Sequence, residues 1–317
     1  MIIYQILVLI FCVLPIIYFT IYFIYKHILI CQKDLIKIYG KSWVIITGPS
    51  SGIGLSLTEH FAYLGFNICL IGRNLDKIKI KLENKYKNNK FNIINKDFNN
   101  SDNDNFYNNI EEWINKNNVS ILVNNIGHRA FSGDYINQKR EDIYSTIKCG
   151  TFPQSILTQI FMKKFDNNIN NKMCIINITA QCVNYNIGLG QMYKAPISIP
   201  YLANYEASNA FGFYLAESIF NEIKLKRKQN YKYNNLQFLN ITPGAVLTNK
   251  TYKSLSWIPF SCWDYEFANN ILKLINNVEG QQCAFWAHEI SNIIMMIAPF
   301  LRSYILTKVG KCFVINK

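Results

Sequence analysis

The residues best placed to do chemistry sit in a glycine-rich turn. The short apolar run Trp43–Thr47 leads directly into Thr47-Gly48-Pro49-Ser50-Ser51-Gly52-Ile53-Gly54. Glycine at such a turn lets the backbone close on a pyrophosphate, whose charge is then met by the N-terminus of the following helix. Gly48, Ser50, Ser51, Gly52, Ile53 and Gly54 are therefore candidate phosphate-binding positions. Glycine-rich turns also arise by chance, so the place of this one between a strand and a helix is what gives it weight. Metal chemistry has no comparable signal. The nine cysteines are scattered without a CxxC pair, which argues against a zinc site or a disulfide framework and fits a reducing compartment.

The elements that must carry this turn alternate in type. Trp43–Thr47, Asn67–Ile71, Phe91–Asn95, Ser120–Asn124, Met173–Ile178 and Gln237–Ile241 read as strands apolar on both faces. Helical patterns lie between them at Gly54–Leu64, Leu75–Tyr86, Asp102–Asn115, Glu141–Phe165 and Tyr201–Lys226. The alternation predicts an α/β fold with a doubly wound parallel sheet. Asn/Lys runs such as Lys85–Lys90 and Asn167–Lys172 fall between elements, as polar loops do.

The chain has 317 residues, half of them hydrophobic (50%), which excludes a disordered protein. Its net charge of +13 is compatible with nucleic acid, a membrane surface or a phosphate-bearing ligand, but the basic residues are spread and no nucleic-acid motif is present. Met1–Tyr25 holds no charged residue, and the first charge is Lys26, followed by Lys33, Lys37 and Lys41. The uncharged run exceeds the roughly 20 residues needed to cross a bilayer core. Pro15 would kink it, which membranes tolerate. A cleaved signal peptide is the competing reading, but a basic n-region and a small-residue cleavage site are both missing. The expectation is an N-terminal transmembrane helix with the lysine flank, and the bulk of the chain, on the cytosolic side. Three regions follow: a membrane anchor at 1–30, a dinucleotide-binding domain at 40–286 and an apolar C-terminal segment at 287–317 that could lie in the membrane interface or pack as an ordinary core helix.

The motifs, taken in order, resemble the short-chain dehydrogenase/reductases. The first turn reads TGxxxGxG rather than GxGxxG. Asn124-Asn125-Ile126-Gly127 resembles the family's NNAG after the fourth strand, Tyr205-Glu206-Ala207-Ser208-Asn209 resembles YxxxK, and Pro243-Gly244-Ala245-Val246-Leu247-Thr248 resembles PGxVxT after the sixth. The resemblance covers about residues 40–290 and implies a Rossmann-like fold and a nicotinamide cofactor. It implies that Asp97 and Phe98 meet the adenine, that Asn125 and Gly127 pass beneath the adenosine, and that Tyr205 and Asn209 reach the ribose. It also implies that Pro243, Gly244, Val246 and Thr248 line the nicotinamide end, with Thr248 on the carboxamide. The second strand ends Ile71-Gly72-Arg73-Asn74, with no acid for a ribose 2′-hydroxyl. Arg73 offers a bidentate fork for a 2′-phosphate, which favours NADP(H); the plainer alternative is a solvated residue at a helix start.

The implied reaction moves hydride to or from nicotinamide C4 while a phenol transfers a proton. A serine orients the substrate oxygen, a lysine lowers the tyrosine pKa and binds ribose, and an asparagine supports a proton relay. Tyr205 is the phenol. Asn209 stands in place of the lysine, one helical turn on and on the same face. A nearby cation lowers an acid's pKa by about 1–3 units, worth roughly 1.4–4 kcal/mol. The strand-five motif is Asn177-Ile178-Thr179-Ala180, so Ala180 stands in place of the serine, and the usual count back from Tyr205 lands on Met192. Thr179, Cys182 and Ser198 are weak stand-ins. The stretch from Ile143 to Pro153 has no asparagine, and Lys148 lies near the expected place. Two readings stay open. One is a reductase with a rearranged site, using Lys148 or Lys194 as its cation; the other is a cofactor-binding pseudoenzyme acting as scaffold or sensor.

Within the family, the N-terminal anchor, Gly72-Arg73-Asn74, the stretch Val119–Gly127 and the tail from Ala287-His288-Glu289 to Lys308 resemble the microsomal very-long-chain 3-oxoacyl-CoA reductases and 17-beta-hydroxysteroid dehydrogenases. That implies the endoplasmic reticulum membrane, an acyl-CoA or other lipid-like substrate, elongase components as partners and a homodimer through the Tyr205 helix. His128 and Arg129 could meet CoA phosphates or form a solvated loop pair; Lys224–Lys232 could touch anionic headgroups or be a solvated helix end. Gln181–Pro200 reads as a lid or a divergent substrate loop.

Overall fold

The computed structural model describes residues 9–127, 133–180, 199–249, 251–297 and 304–311. The chain begins with α1 (Leu14–Ile24), set between two π-helical turns at Leu9–Val13 and Tyr25–Leu29, and continues with α2 (Leu35–Tyr39). The alternating body then runs β1 (Trp43–Thr47), α3 (Gly52–Tyr63), β2 (Asn67–Gly72), α4 (Asp76–Lys85), β3 (Phe91–Asn95), α5 (Asn108–Lys116), β4 (Val119–Asn124), α6 (Arg140–Asn167), β5 (Met173–Ile178), α7 (Ala203–Gln229) and β6 (Leu236–Ile241). It closes with β7 (Val246–Leu247), α8 (Tyr252–Leu255), β8 (Cys262–Trp263), α9 (Asp264–Leu274), β9 (Gly280–Gln282) and α10 (Trp286–Ile297).

The main sheet has seven strands in the order β3-β2-β1-β4-β5-β6-β9, paired in parallel throughout. This is a Rossmann-like doubly wound sheet. Strand order reverses between β1 and β4, and that reversal opens a crevice at the carboxyl ends of the strands. Every residue of β2, β4, β5 and β6 is buried, because helices cover both faces. On one face Leu57 and Phe61 of α3 pack with Phe267 and Ile271 of α9; on the other, Ile110 of α5, Leu157 and Phe161 of α6 and Phe220 of α7 form the second core.

The expected strands recur almost residue for residue, and one more was not anticipated. β9 is only Gly280-Gln281-Gln282, too short and too polar to register as a buried strand. It exists because α7 presses against it. Gly280 has φ +72°, and a Cβ there would stand 2.6 Å from the Phe220 ring, so only glycine fits. The expected helix at Asp102–Asn115 is shorter; two 3₁₀ turns at Phe98–Asn100 and Asp104–Phe106 precede α5.

At the N-terminus, Pro15 lies in the first turn of α1, directly after the π-helical turn Leu9–Val13. Among the described residues no helix is long and apolar enough to cross a membrane. The helical stretch 9–29 nonetheless has two unlike sides. Leu14, Ile16, Ile17, Tyr18, Ile21, Ile24 and Ile28 are exposed, whereas Lys26 and Ile30 are buried against the body. The Tyr22 hydroxyl donates to Gln282 Oε1 (3.1 Å) and Lys33 Nζ to the Asn276 carbonyl (2.8 Å), so the stretch lies along the β9 edge of the sheet.

Candidate functional site

Three loops meet at the crevice. The hydroxyl of Thr47, at the end of β1, accepts from the backbone N–H groups of Asn125 and Ile126 (2.9 Å each). The Asn125 side-chain amide returns two bonds, to the carbonyls of Thr47 (3.1 Å) and Gly48 (3.2 Å). The turn after β1 is thereby stitched to the turn after β4. Gly48 has φ +64°. A Cβ on Gly54 would stand 2.4 Å from both Asn125 Nδ2 and the Gly48 carbonyl oxygen, so the stitch requires glycine there. Gly52 has φ +60°, and a Cβ on it would meet Thr248 Cγ2 at 3.0 Å, which brings in the third loop, the one after β6.

Gly52 begins α3, and Ser51 before it makes no side-chain capping bond. The first-turn N–H groups of α3 are thus left uncapped by Ser51, with Ser50 exposed beside them. Among the described residues, a Cβ on Gly127 would meet nothing within 4 Å.

At the adenosine end Arg73 Nη1 stands 3.3 Å from Asp97 Oδ2, both side chains well exposed. Asp97 Oδ1 also accepts from the Asn99 N–H (3.0 Å), which fixes the corner after β3. Phe98 departs from its expected place. Its ring is buried, 5.5 Å from that of Phe106, so only its backbone can face a ligand.

The reaction centre is altered. Tyr205 lies in the first turn of α7, half-buried. Its carbonyl accepts from Asn209 Nδ2 (2.9 Å) and from the Ser208 hydroxyl (2.8 Å), so one amide hydrogen of Asn209 is turned back on its own helix. Ala180 is buried and brings no polar side-chain atom. Thr179 does not replace the serine, because its hydroxyl donates to Asn240 Oδ1 (3.2 Å) on the neighbouring strand. Lys148 Nζ is paired with Asp102 Oδ2 at 2.7 Å, and that ammonium holds the Asp102 carboxyl below the usual carboxylate range. His128, Arg129, Cys182, Met192, Lys194 and Ser198 lie outside the described residues. Where the chain returns at Ile199, its N–H donates to Glu206 Oε1 (2.6 Å), which ties the returning loop to the Tyr205 turn.

Two features were not read from the sequence. α6 and α7 run side by side so closely that a Cβ on Gly150 would stand 2.6 Å from Ser208 Cβ, and one on Gly212 would stand 2.3 Å from Gln154 Oε1. The same register brings Thr146, one turn before Gly150, to the level of Asn204 and Tyr205. Thr146 is buried, with its hydroxyl on the Asp142 carbonyl (2.8 Å), whereas Lys148 is turned to Asp102. Beneath the site Asn124, Asn177 and Asn240 sit in register on β4, β5 and β6, all fully buried. Asn124 Nδ2 donates to Asn177 Oδ1 (2.8 Å) and Thr158 Oγ1 (3.0 Å), while Asn177 Nδ2 and Asn240 Nδ2 have no partner among the described residues. The available signal was an asparagine near the end of each of these strands.

Comparison with known proteins bears on what this crevice is. The short chain dehydrogenase family profile matches residues 42–196, from before the phosphate turn to beyond Ala180. Over residues 42–196 the chain is similar to the short-chain dehydrogenases. Human 17-beta-hydroxysteroid dehydrogenase type 3 is 27% identical over 274 residues, 85% of this chain and 79% of that one. A very-long-chain 3-oxoacyl-CoA reductase of Caenorhabditis briggsae is 24% identical over 293 residues, 90% and 84% of the two chains. Human inactive hydroxysteroid dehydrogenase-like protein 1 is 26% identical over 277 residues, 84% and 75%. Among solved structures, a short-chain dehydrogenase from Sphingobium yanoikuyae in complex with NADPH superposes with TM-score 0.58 at 20% identity, covering 76% of this chain and 87% of that one. In this fold the turns after β1, β4 and β6 are joined at the crevice by Thr47, Asn125 and the Gly52–Thr248 approach. Ala180 and Asn209 stand where the family's motifs have serine and lysine.

Proposed function

We propose that this chain is a membrane-anchored short-chain dehydrogenase that binds NADP(H) but has lost efficient proton transfer, and that it works as a cofactor-dependent scaffold or sensor in lipid metabolism at the endoplasmic reticulum. The observation that carries the reading is a contrast within one site. Gly48, Gly52, Gly54, Asn125 and Thr248 fit one another within ångströms, while Ala180 and Asn209 stand where the family's motifs have serine and lysine. Removing one donor to a reacting oxygen commonly costs about 10²–10³ in rate.

Bound NADPH would supply hydride. The chain's own part is to hold it: the α3 N-terminus and Ser50 on the pyrophosphate, Arg73 on the 2′-phosphate, Asp97 near the adenine, and Thr248 with Gly244 at the nicotinamide end. Arg73 would exchange its contact with Asp97 for the phosphate, whose doubly charged fork partner is the stronger of the two. The anchor is supported by the exposed apolar side chains from Leu9 to Leu29 and by the lysine flank that follows. In this reading 40–286 is the cofactor-binding domain, and the apolar tail rests at the membrane interface.

The second reading, a slow reductase of a 3-oxoacyl-CoA or steroid ketone, rests on Tyr205, which keeps the family's phenol at the right helical position. Elongase components and a second copy across α7 are the partners the family resemblance brings to either reading. NADPH titration followed by a turnover assay with a 3-oxoacyl-CoA separates the two: binding without turnover supports the first, and turnover abolished in Tyr205→Phe supports the second.

A further inference from the structure

Two consecutive residues of α10 face opposite ways and touch two different parts of the molecule. His288 points at the loop after β6. The Gly244 N–H donates to its Nδ1 (3.2 Å), so the ring proton sits on Nε2, 3.3 Å from the Ala245 carbonyl. The ring is buried, 5.1 Å from the ring of Phe285 and 5.7 Å from that of Phe267, and Cys262 Sγ lies 3.9 Å from Nε2. An imidazole that accepts on one side and donates on the other holds the peptide groups on either side of the Gly244–Ala245 peptide in place.

Glu289 points at the N-terminal helical stretch. Its Oε2 receives Lys26 Nζ (2.5 Å) and His27 Nε2 (2.6 Å), with Lys26, His27 and Glu289 side chains all less than a tenth exposed. Buried charges of this kind are strongly bound to their partners, because removing either leaves the other uncompensated. The loop at the far end of this chain of contacts is the one whose Thr248 lies against Gly52.

We propose that His288 and Glu289 make α10 a strut by which the N-terminal segment positions the 243–248 loop, so that seating of that segment governs how well the crevice holds the nicotinamide end of the dinucleotide. The second half of this statement rests on the cofactor reading above; the first half does not. His288 and Glu289 are positioning residues, acting through Gly244 and Lys26 respectively.

Hydrogen exchange on the full-length chain in detergent micelles, without added cofactor, tests the strut. Glu289→Gln and Lys26→Met each raise exchange of the peptide covering 243–248 by about tenfold, the scale of one lost hydrogen bond. Lys33→Met removes a bond from the same segment to Asn276 and leaves that peptide unchanged. His288→Asn, which keeps an acceptor near Gly244, changes exchange less than His288→Leu. Exchange at 243–248 that stays at the wild-type level in both charge variants, with loosening confined to 9–29 and 286–297, overturns the proposal. NADPH titration of the same variants is expected to show Kd raised about tenfold for Glu289→Gln. A wild-type chain that fails to bind NADPH removes the cofactor reading, while the exchange result still decides the strut.

Discussion

The side-chain amide of Asn209 donates to the backbone carbonyl of Tyr205, 2.9 Å away, within the first turns of α7. The family motif resembled here has a lysine at this position, so an uncharged amide stands one turn along the helix from Tyr205. Lys148 offers no remedy, because its ammonium is paired with Asp102 at the adenosine side of α6. The proposed loss of proton transfer is therefore local in sequence, and substitution tests it.

Asn209→Lys with Ala180→Ser restores a cation and a hydroxyl beside Tyr205. The double variant is expected to raise NADPH oxidation with a 3-oxoacyl-CoA by about 10²-fold or more over wild type. Stopped-flow absorbance at the dihydronicotinamide band is the measurement, and an unchanged rate would remove the missing pair as the cause of low activity.

Arg73 lies beside Asp97 and is the residue proposed to meet a 2′-phosphate. Arg73→Glu is expected to weaken NADPH binding by about 1.5–3 kcal/mol, the range for hydrogen bonds to charged groups, and to leave NADH binding within a factor of a few. Parallel titrations of the two dinucleotides read the ratio. Equal losses for both would mean that Arg73 does not meet the 2′-phosphate.

Gly54→Ala places a methyl 2.4 Å from Asn125 Nδ2 and from the Gly48 carbonyl oxygen, both in the stitch between two loops. Overpacking of this kind costs about 1–3 kcal/mol. Tm is expected to fall and NADPH affinity to drop with it, whereas Ile80→Ala on the exposed side of α4 moves neither. Calorimetry with and without NADPH makes the comparison.

Burial lowers the His288 pKa to about 4, against about 6.5 in the unfolded chain. Between those values the unfolded chain binds the additional proton. The contribution of His288 is therefore complete above about pH 6.5 and is lost as pH falls toward 4, at most about 3 kcal/mol. Glu289 acts in the same direction, since bonding to His27 and Lys26 outweighs its burial and holds its carboxyl below the ordinary value. Tm measured from pH 7.5 to 4.5 should fall more steeply for wild type than for His288→Gln; parallel curves would contradict the buried neutral imidazole.

Much of this was legible from the sequence. The strands from Trp43 to Ile241 are runs of Val, Ile, Leu and Asn whose burial on both faces follows from composition, and the glycines at 48, 52 and 54 announce a tight turn wherever the rest of the chain goes. What escaped depends on partners distant in sequence. β9 is a strand because Phe220 and β6 require it, not because Gly-Gln-Gln prefers that state. Thr179 looked like a spare hydroxyl until the register of β5 against β6 set it beside Asn240. Lys26 looked like the first solvated charge after an apolar helix, and it is buried on Glu289, a residue from the other end of the chain. The apolar N-terminal run was plain from composition, but its division into a packed side and an exposed side was not.

The central claim is that the dinucleotide crevice is intact while proton transfer is not. The most direct measurement is NADPH binding and turnover on one preparation of the full-length chain in membranes, with a 3-oxoacyl-CoA as substrate. The account predicts saturable NADPH binding, weakened in Gly52→Val, with turnover at the level of Tyr205→Phe. Rapid NADPH oxidation that vanishes in Tyr205→Phe, or no NADPH binding at all, would contradict it.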